Sequence, residues 1–111
     1  MSENVGFAGQ IGPEQLKQVV EKGFKSLINN RPDMEGGPDQ PTSAQIEESA
    51  RAIGLDYVFQ PVVAGQITEL DVRTFANHYN ELPKPVLMFC RTGNRSNNLY
   101  QLAKQMDLLD D

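Results

Sequence analysis

Apolar residues come in short bursts along this chain, and their spacing switches between helix and strand periods at joins marked by Gly and Pro. After an apolar stretch from Val5 to Ile11, Gly12-Pro13-Glu14-Gln15 opens a helix, with proline in the first turn and a carboxylate favoured by the helix dipole. Leu16, Val19 and Val20 share one face of that helix. Gly23 stops it, and Phe24 to Ile28 alternates as a half-buried strand does. From Asn29 to Pro41 the residues Pro32, Gly36, Gly37, Pro38 and Pro41 punctuate too densely for a regular element, so a long loop is expected.

Thr42 with Gln45 three residues later forms a capping box, and Ile46, Ala50 and Ile53 follow at helical spacing until Gly54. Tyr57-Val58-Phe59 and Val62-Val63 form an apolar extended segment that Pro61 ends or brings to an edge. Thr68 and Asp71 cap a third helix whose Leu70, Val72, Phe75, Ala76 and Tyr79 make a buried stripe, closed by Pro83 and Pro85. Val86 to Phe89 is a continuous apolar run of strand length that leads into Cys90. A last helix, starting near Arg95-Ser96, carries Leu99, Leu102, Ala103, Met106 and Leu109.

Strands alternating with helices in this order predict an α/β domain of three layers, a mainly parallel sheet flanked by helices. In such sheets ligands bind outside the carboxyl ends of the strands, where Cys90 and the loop after Ile28 both fall. The 111 residues, 39% hydrophobic and 23% charged, fit one globular domain over residues 1–111.

Composition then narrows the chemistry. No apolar run reaches bilayer length, and Met1-Ser2-Glu3-Asn4 lacks the basic-then-apolar order of a secretion signal, so no membrane and a cytoplasmic location are expected. A single cysteine forms no internal disulfide and cannot supply a thiolate metal cluster, which leaves Cys90 either inert or reactive by itself. A net charge of −5 argues against nucleic acid. Within that acidic background Arg91 and Arg95 bracket Thr92-Gly93-Asn94, which points to a small anionic substrate, with a solvated surface loop as the alternative.

A buried strand ending in cysteine, then a short glycine-bearing loop and a helix, aims backbone N–H groups and a helix N-terminus at one spot. That field stabilises both a bound anion and a thiolate, so Cys90 is the expected nucleophile. Arg95 can bind two oxygens with its fork, and Ser96 either donates to the sulfur or caps the helix. Arg91, Thr92, Gly93 and Asn94 are expected around the anion, with Arg31, Asp33 and Glu35 as further candidates from the long loop or simply solvated residues. No metal or cofactor is expected. His78, without a second histidine, is read as structural, Met88 and Met106 as packing, and Asp107 to Asp111 as a frayed end.

The run Phe89-Cys90-Arg91-Thr92-Gly93-Asn94-Arg95-Ser96 resembles the active-site loop of the rhodanese and cysteine-phosphatase folds. Gly9-Gln10, Gly23-Phe24-Lys25, Asn29-Asn30-Arg31-Pro32-Asp33 and Glu35 resemble the beta-lactamase hydrolase-like, phosphatase-like domain family, so the likeness covers nearly the whole chain. The resemblance implies a compact tyrosine-phosphatase fold, with some members beside or fused to sulfide-oxidising enzymes and others treated as phosphatases.

Two activities compete under that resemblance. A phosphatase loop has five residues between cysteine and arginine, whereas Arg91, Thr92, Gly93 and Asn94 make four, as in rhodanese sulfurtransferases. The histidine that usually precedes the cysteine is Phe89, and the general-acid position falls on Ala64 or Gly65, with Asp33, Glu35 or the weaker Asp71 as substitutes. Loss of such an acid costs phosphate-ester cleavage about 10² to 10⁴ in rate. Sulfur transfer needs no proton on its leaving group. The expectation is therefore a sulfurtransferase that moves a sulfane sulfur from thiosulfate or a persulfide through a Cys90 persulfide. A tyrosine-phosphatase-like hydrolase acting through a phosphocysteine is the first alternative, and a non-catalytic anion-binding or partner-docking module the second.

Overall fold

The computed structural model describes residues 4–110. Strands β1 (Val5–Ala8), β2 (Ser26–Asn29), β3 (Asp56–Phe59) and β4 (Val86–Phe89) form one sheet in the order β1-β4-β2-β3. Every pairing is parallel, with Ala8 and Asn29 both level with Phe89 at the carboxyl end. Helix α1 (Leu16–Glu21, entered through a 3₁₀ turn at Pro13–Gln15) and α2 (Ser43–Ala52) lie on one face, and α3 (Glu69–Glu81) and α4 (Asn94–Gln105) on the other. The three-layer α/β expectation is met.

Strand β4 is central, and its side chains divide between two cores. Leu87 and Phe89 join Leu16, Val19, Leu27, Ile46 and Tyr57, while Val86 and Met88 join Ile28, Phe75, Tyr79, Leu99 and Tyr100. A strand buried on both faces reads as a continuous apolar run, which is why VLMF carries no alternation. Each of these side chains contributes roughly 1.5–3 kcal/mol by leaving water. The burial fixes β4 and thereby the point where Cys90 emerges.

Both expected capping boxes form. Thr42 Oγ1 accepts from the Gln45 N–H at 3.2 Å, and Thr68 Oγ1 from that of Asp71 at 3.1 Å. Other expectations are corrected. Strand β2 starts at Ser26, because Gly23 (φ +96°) delays the extended stretch. Val62-Val63 is not strand: Pro61 has no N–H to continue a ladder, though Val62 N–H still reaches the Asn30 carbonyl. Leu70 is 72% exposed in the first turn of α3, Val20 and Ile53 are exposed at helix ends, and Leu102 turns off the α4 stripe toward a cleft. The segment after α4 is not frayed up to Asp110: Leu108 and Leu109 pack on the second core, and Asn80 bonds both the Leu108 carbonyl and the Asp110 N–H. Asp111 and Met1-Ser2-Glu3 lie outside the described residues.

Candidate active site

The chain runs β1 to β2 to β3 in one direction across the sheet, then crosses back through α3 to insert β4 between β1 and β2. Reversals of this kind open a crevice at the carboxyl ends. Cys90 sits there, 1% exposed, with its own N–H bonded to the Ala8 carbonyl of the neighbouring strand.

Residues 90–93 curl so that the Gly93 N–H donates to Cys90 Sγ at 3.0 Å. Gly93 adopts φ +94°, and a Cβ there would lie 3.3 Å from the Ala8 carbonyl oxygen, so both conformation and space call for glycine. Gly93 is also the N-cap of α4 and offers no capping side chain, which leaves the sulfur at the positive end of the helix. Gly9 completes the packing: a Cβ there would stand 3.0 Å from the Arg91 carbonyl, which the Gln10 N–H also reaches.

Burial pushes the Cys90 thiol up, but the Ser96, Thr92 and Gly93 N–H groups and the Ser96 hydroxyl outweigh it. The net result lies below the ordinary thiol value, as a reactive thiolate requires. Ser96 is fully buried inside α4 and is not the N-cap, so the capping alternative falls away. Its hydroxyl also bonds Asn30 Oδ1 at 2.8 Å, and Asn30 Nδ2 donates to the Gln60 carbonyl at 3.0 Å. The Ser96 hydroxyl has one proton, so it donates to Asn30 Oδ1 or to the sulfur but not to both at once, and Asn30 holds it within reach of Cys90. Sequence reasoning gave Asn30 no role. Its signals were its place one residue past the strand end and its presence in the Asn29-Asn30-Arg31-Pro32-Asp33 run that carries the resemblance.

Arg95 is oriented by a residue from the long loop. Its Nη1 and Nη2 each donate to Glu35 at 3.0 Å, Nη1 also reaches the Val62 carbonyl at 2.9 Å, and buried Nε has no partner. Glu35 Oε1 accepts in addition from Arg31 Nε at 3.0 Å, and Arg31 Nη1 donates to Gln10 Oε1 at 3.0 Å. The Arg95 hydrogen bond, then that of Arg31, outweighs partial burial and holds the Glu35 carboxyl below its ordinary value. Glu35 is therefore ionised and fixes a guanidinium. It is not an acid waiting to donate.

A cleft of about 640 Å³ opens at Cys90. It is lined by the Ala64, Gly65 and Ile67 segment, by Asn94, Asn98, Gln101, Leu102 and Gln105 of α4, and by Arg91, Thr92 and Arg95 of the cysteine loop and the start of α4. Of the expected site residues, Cys90, Arg91, Thr92, Asn94 and Arg95 line this cleft, and Gly93 and Ser96 contact the sulfur from behind. Arg31 stands one step back, behind Glu35. Asp33 is elsewhere: its Oδ1 accepts from the Ser43 N–H at the start of α2, and Asp71 likewise accepts from the Thr68 N–H. Among the described residues no group of three or more His, Cys, Asp or Glu is placed to hold a metal, and no helix is long and apolar enough to cross a membrane.

The chain is similar to known proteins in sequence and in fold. The family model described as beta-lactamase hydrolase-like protein, phosphatase-like domain, matches residues 1–107. A beta-lactamase hydrolase-like protein of Agrobacterium fabrum is 39% identical over 107 residues, and one from Xylella fastidiosa 34%. The match covers 96% of this chain but spans only 25% of those relatives' length. Among solved structures, a candidate phosphatase from Neisseria meningitidis superposes with a TM-score of 0.86 at 33% identity, covering 96% of this chain and 75% of that one. A candidate phosphatase from Shewanella putrefaciens shares the fold, with a TM-score of 0.74 at 21% identity over 96% of this chain and 68% of that one.

Proposed function

This chain belongs to the beta-lactamase hydrolase-like protein, phosphatase-like domain family, and on that premise we propose that it is a cysteine-dependent phosphatase acting through a phosphocysteine. The observation that carries the reading is the Gly93 N–H on Cys90 Sγ at 3.0 Å, at the mouth of α4. The Cys90 thiolate attacks phosphorus while the loop N–H groups and the helix N-terminus stabilise the equatorial oxygens. Arg95, fixed by Glu35, keeps Nε available and Arg91 adds positive charge, so the site favours a dianionic group over a neutral one. Water then releases phosphate and restores the thiolate. The expected result is phosphate release from an aryl phosphate by the wild type and none by Cys90→Ser.

Sulfur transfer is the second reading, favoured by one specific feature. Only Arg91, Thr92, Gly93 and Asn94 separate Cys90 from Arg95, a shorter ring that suits a terminal sulfur. Under it Cys90 takes a sulfane sulfur from thiosulfate or a persulfide, and a sulfide-oxidising enzyme is the natural neighbour. Intact mass after thiosulfate treatment separates the two, since a gain of one sulfur atom on wild type but not on Cys90→Ala marks persulfide formation. Neither activity would leave an anion-binding module. Either chemistry uses a free thiolate, which a reducing compartment such as the cytosol would preserve.

A further inference from the structure

We propose that the substrate of this site is one whose leaving group departs as a stable anion without receiving a proton, and that an acyl phosphate is the class that fits. The inference rests on the phosphatase reading above and concerns the bond that breaks. The cleft at Cys90 is also lined by Ala64, Gly65 and Ile67, and none of these side chains carries a transferable proton. On the α4 side, Asn98 and Gln101 are amides, which can donate a hydrogen bond but cannot give up the proton.

The nearby carboxyl groups are all committed elsewhere. Asp33 and Asp71 bond backbone N–H groups at the starts of α2 and α3, and Glu35 lies between the guanidinium groups of Arg31 and Arg95. Among the described residues, then, none in the cleft can act as a general acid, a contribution typically worth about 10² to 10⁴ in rate. An alkoxide is too basic to leave unassisted, whereas a carboxylate leaves as it is. Cys90 sulfur attacks the phosphorus of the acyl phosphate, the S–P bond forms, the P–O bond to the acyl group breaks, and the carboxylate leaves with the electron pair. Water next attacks phosphorus, the S–P bond breaks, and the products are dihydrogen phosphate and the original thiolate. No proton is drawn from the protein in either step.

The test compares kcat/KM for acetyl phosphate, nitrophenyl phosphate, phenyl phosphate and glycerol phosphate, each corrected by the Cys90→Ser protein. A fall of at least about 10²-fold from acetyl phosphate to phenyl phosphate, with glycerol phosphate inert, is expected. Ala64→Asp, which places a carboxyl on the exposed wall, should raise the phenyl phosphate value more than the acetyl phosphate value. Values independent of the leaving group in the wild type would overturn the inference while leaving the phosphatase reading intact. No phosphate released from any of the four would overturn the phosphatase reading itself.

Discussion

Two segments leave the carboxyl ends of adjacent parallel strands and meet at the cleft, and they contribute in opposite ways. The segment after β4, residues 90–93, works through its backbone: N–H groups and a helix N-terminus converge on one sulfur. The segment after β2, residues 30–42, works through side chains. Arg31 and Glu35 bond each other and reach Gln10 and Arg95, while Gln40 ties the loop to the Pro32 carbonyl and the Gly36 N–H. Backbone donors fixed by a strand and a helix need no partner to stay in place. Side-chain charges hold their geometry only as a connected set, so the second segment should be the more sensitive to loss of one member.

The largest effect should come from the first segment. Cys90→Ser is expected to lower phosphate release by at least about 10⁴-fold, with urea unfolding close to wild type because the side chains are nearly isosteric. Substantial residual turnover would place the nucleophile elsewhere. Gly93→Ala comes next: a positive φ imposed on alanine costs about 1–3 kcal/mol, and the displaced N–H should slow iodoacetamide alkylation of Cys90. Unchanged stability would mean that the turn relaxes and the backbone is not the rigid partner in the comparison.

Glu35→Ala tests the second segment. It leaves two guanidinium groups without their carboxylate and should cost about 1–2 kcal/mol, with KM for an anionic substrate rising more than kcat falls. The pH dependence has a definite sign. Because the folded Glu35 carboxyl lies below its ordinary value, its contribution is complete above the usual glutamate range and is lost as pH falls through the folded value. Wild type and Glu35→Ala should therefore converge in stability in acid. The Cys90 thiol is also depressed, so its alkylation should reach half-maximal rate below the pH that a free cysteine requires. Ser96→Ala should give the smallest change, about fivefold in alkylation rate below that midpoint, as expected for one hydrogen bond of about 1 kcal/mol.

Much of this was readable in one dimension. The VLMF run before Cys90, the glycine three residues after it, and Thr42 and Thr68 as caps each depend on local backbone preferences, and each appears where its spacing placed it. Leu70 and Leu102 were misplaced because helical spacing assigns neighbours to a common face without saying how wide the buried stripe is. The Asp107 to Asp110 segment was misread because its partner, Asn80, lies on a different helix.

The site divides the same way. The sequence by itself determined where Cys90 lies, the loop that follows it and the helix behind it, because strand, turn and helix are contiguous and their electrostatics follow from the order of residues 86–105. Only the tertiary structure decided what Arg95, Ser96 and Glu35 do. Their partners, Glu35, Asn30 and Arg95, are 60 or more residues distant in the chain, and it is the insertion of β4 beside β2 that brings those charges together. The same packing brings Ala64, Gly65 and Ile67 from beyond β3 into the lining of the cleft that holds Cys90.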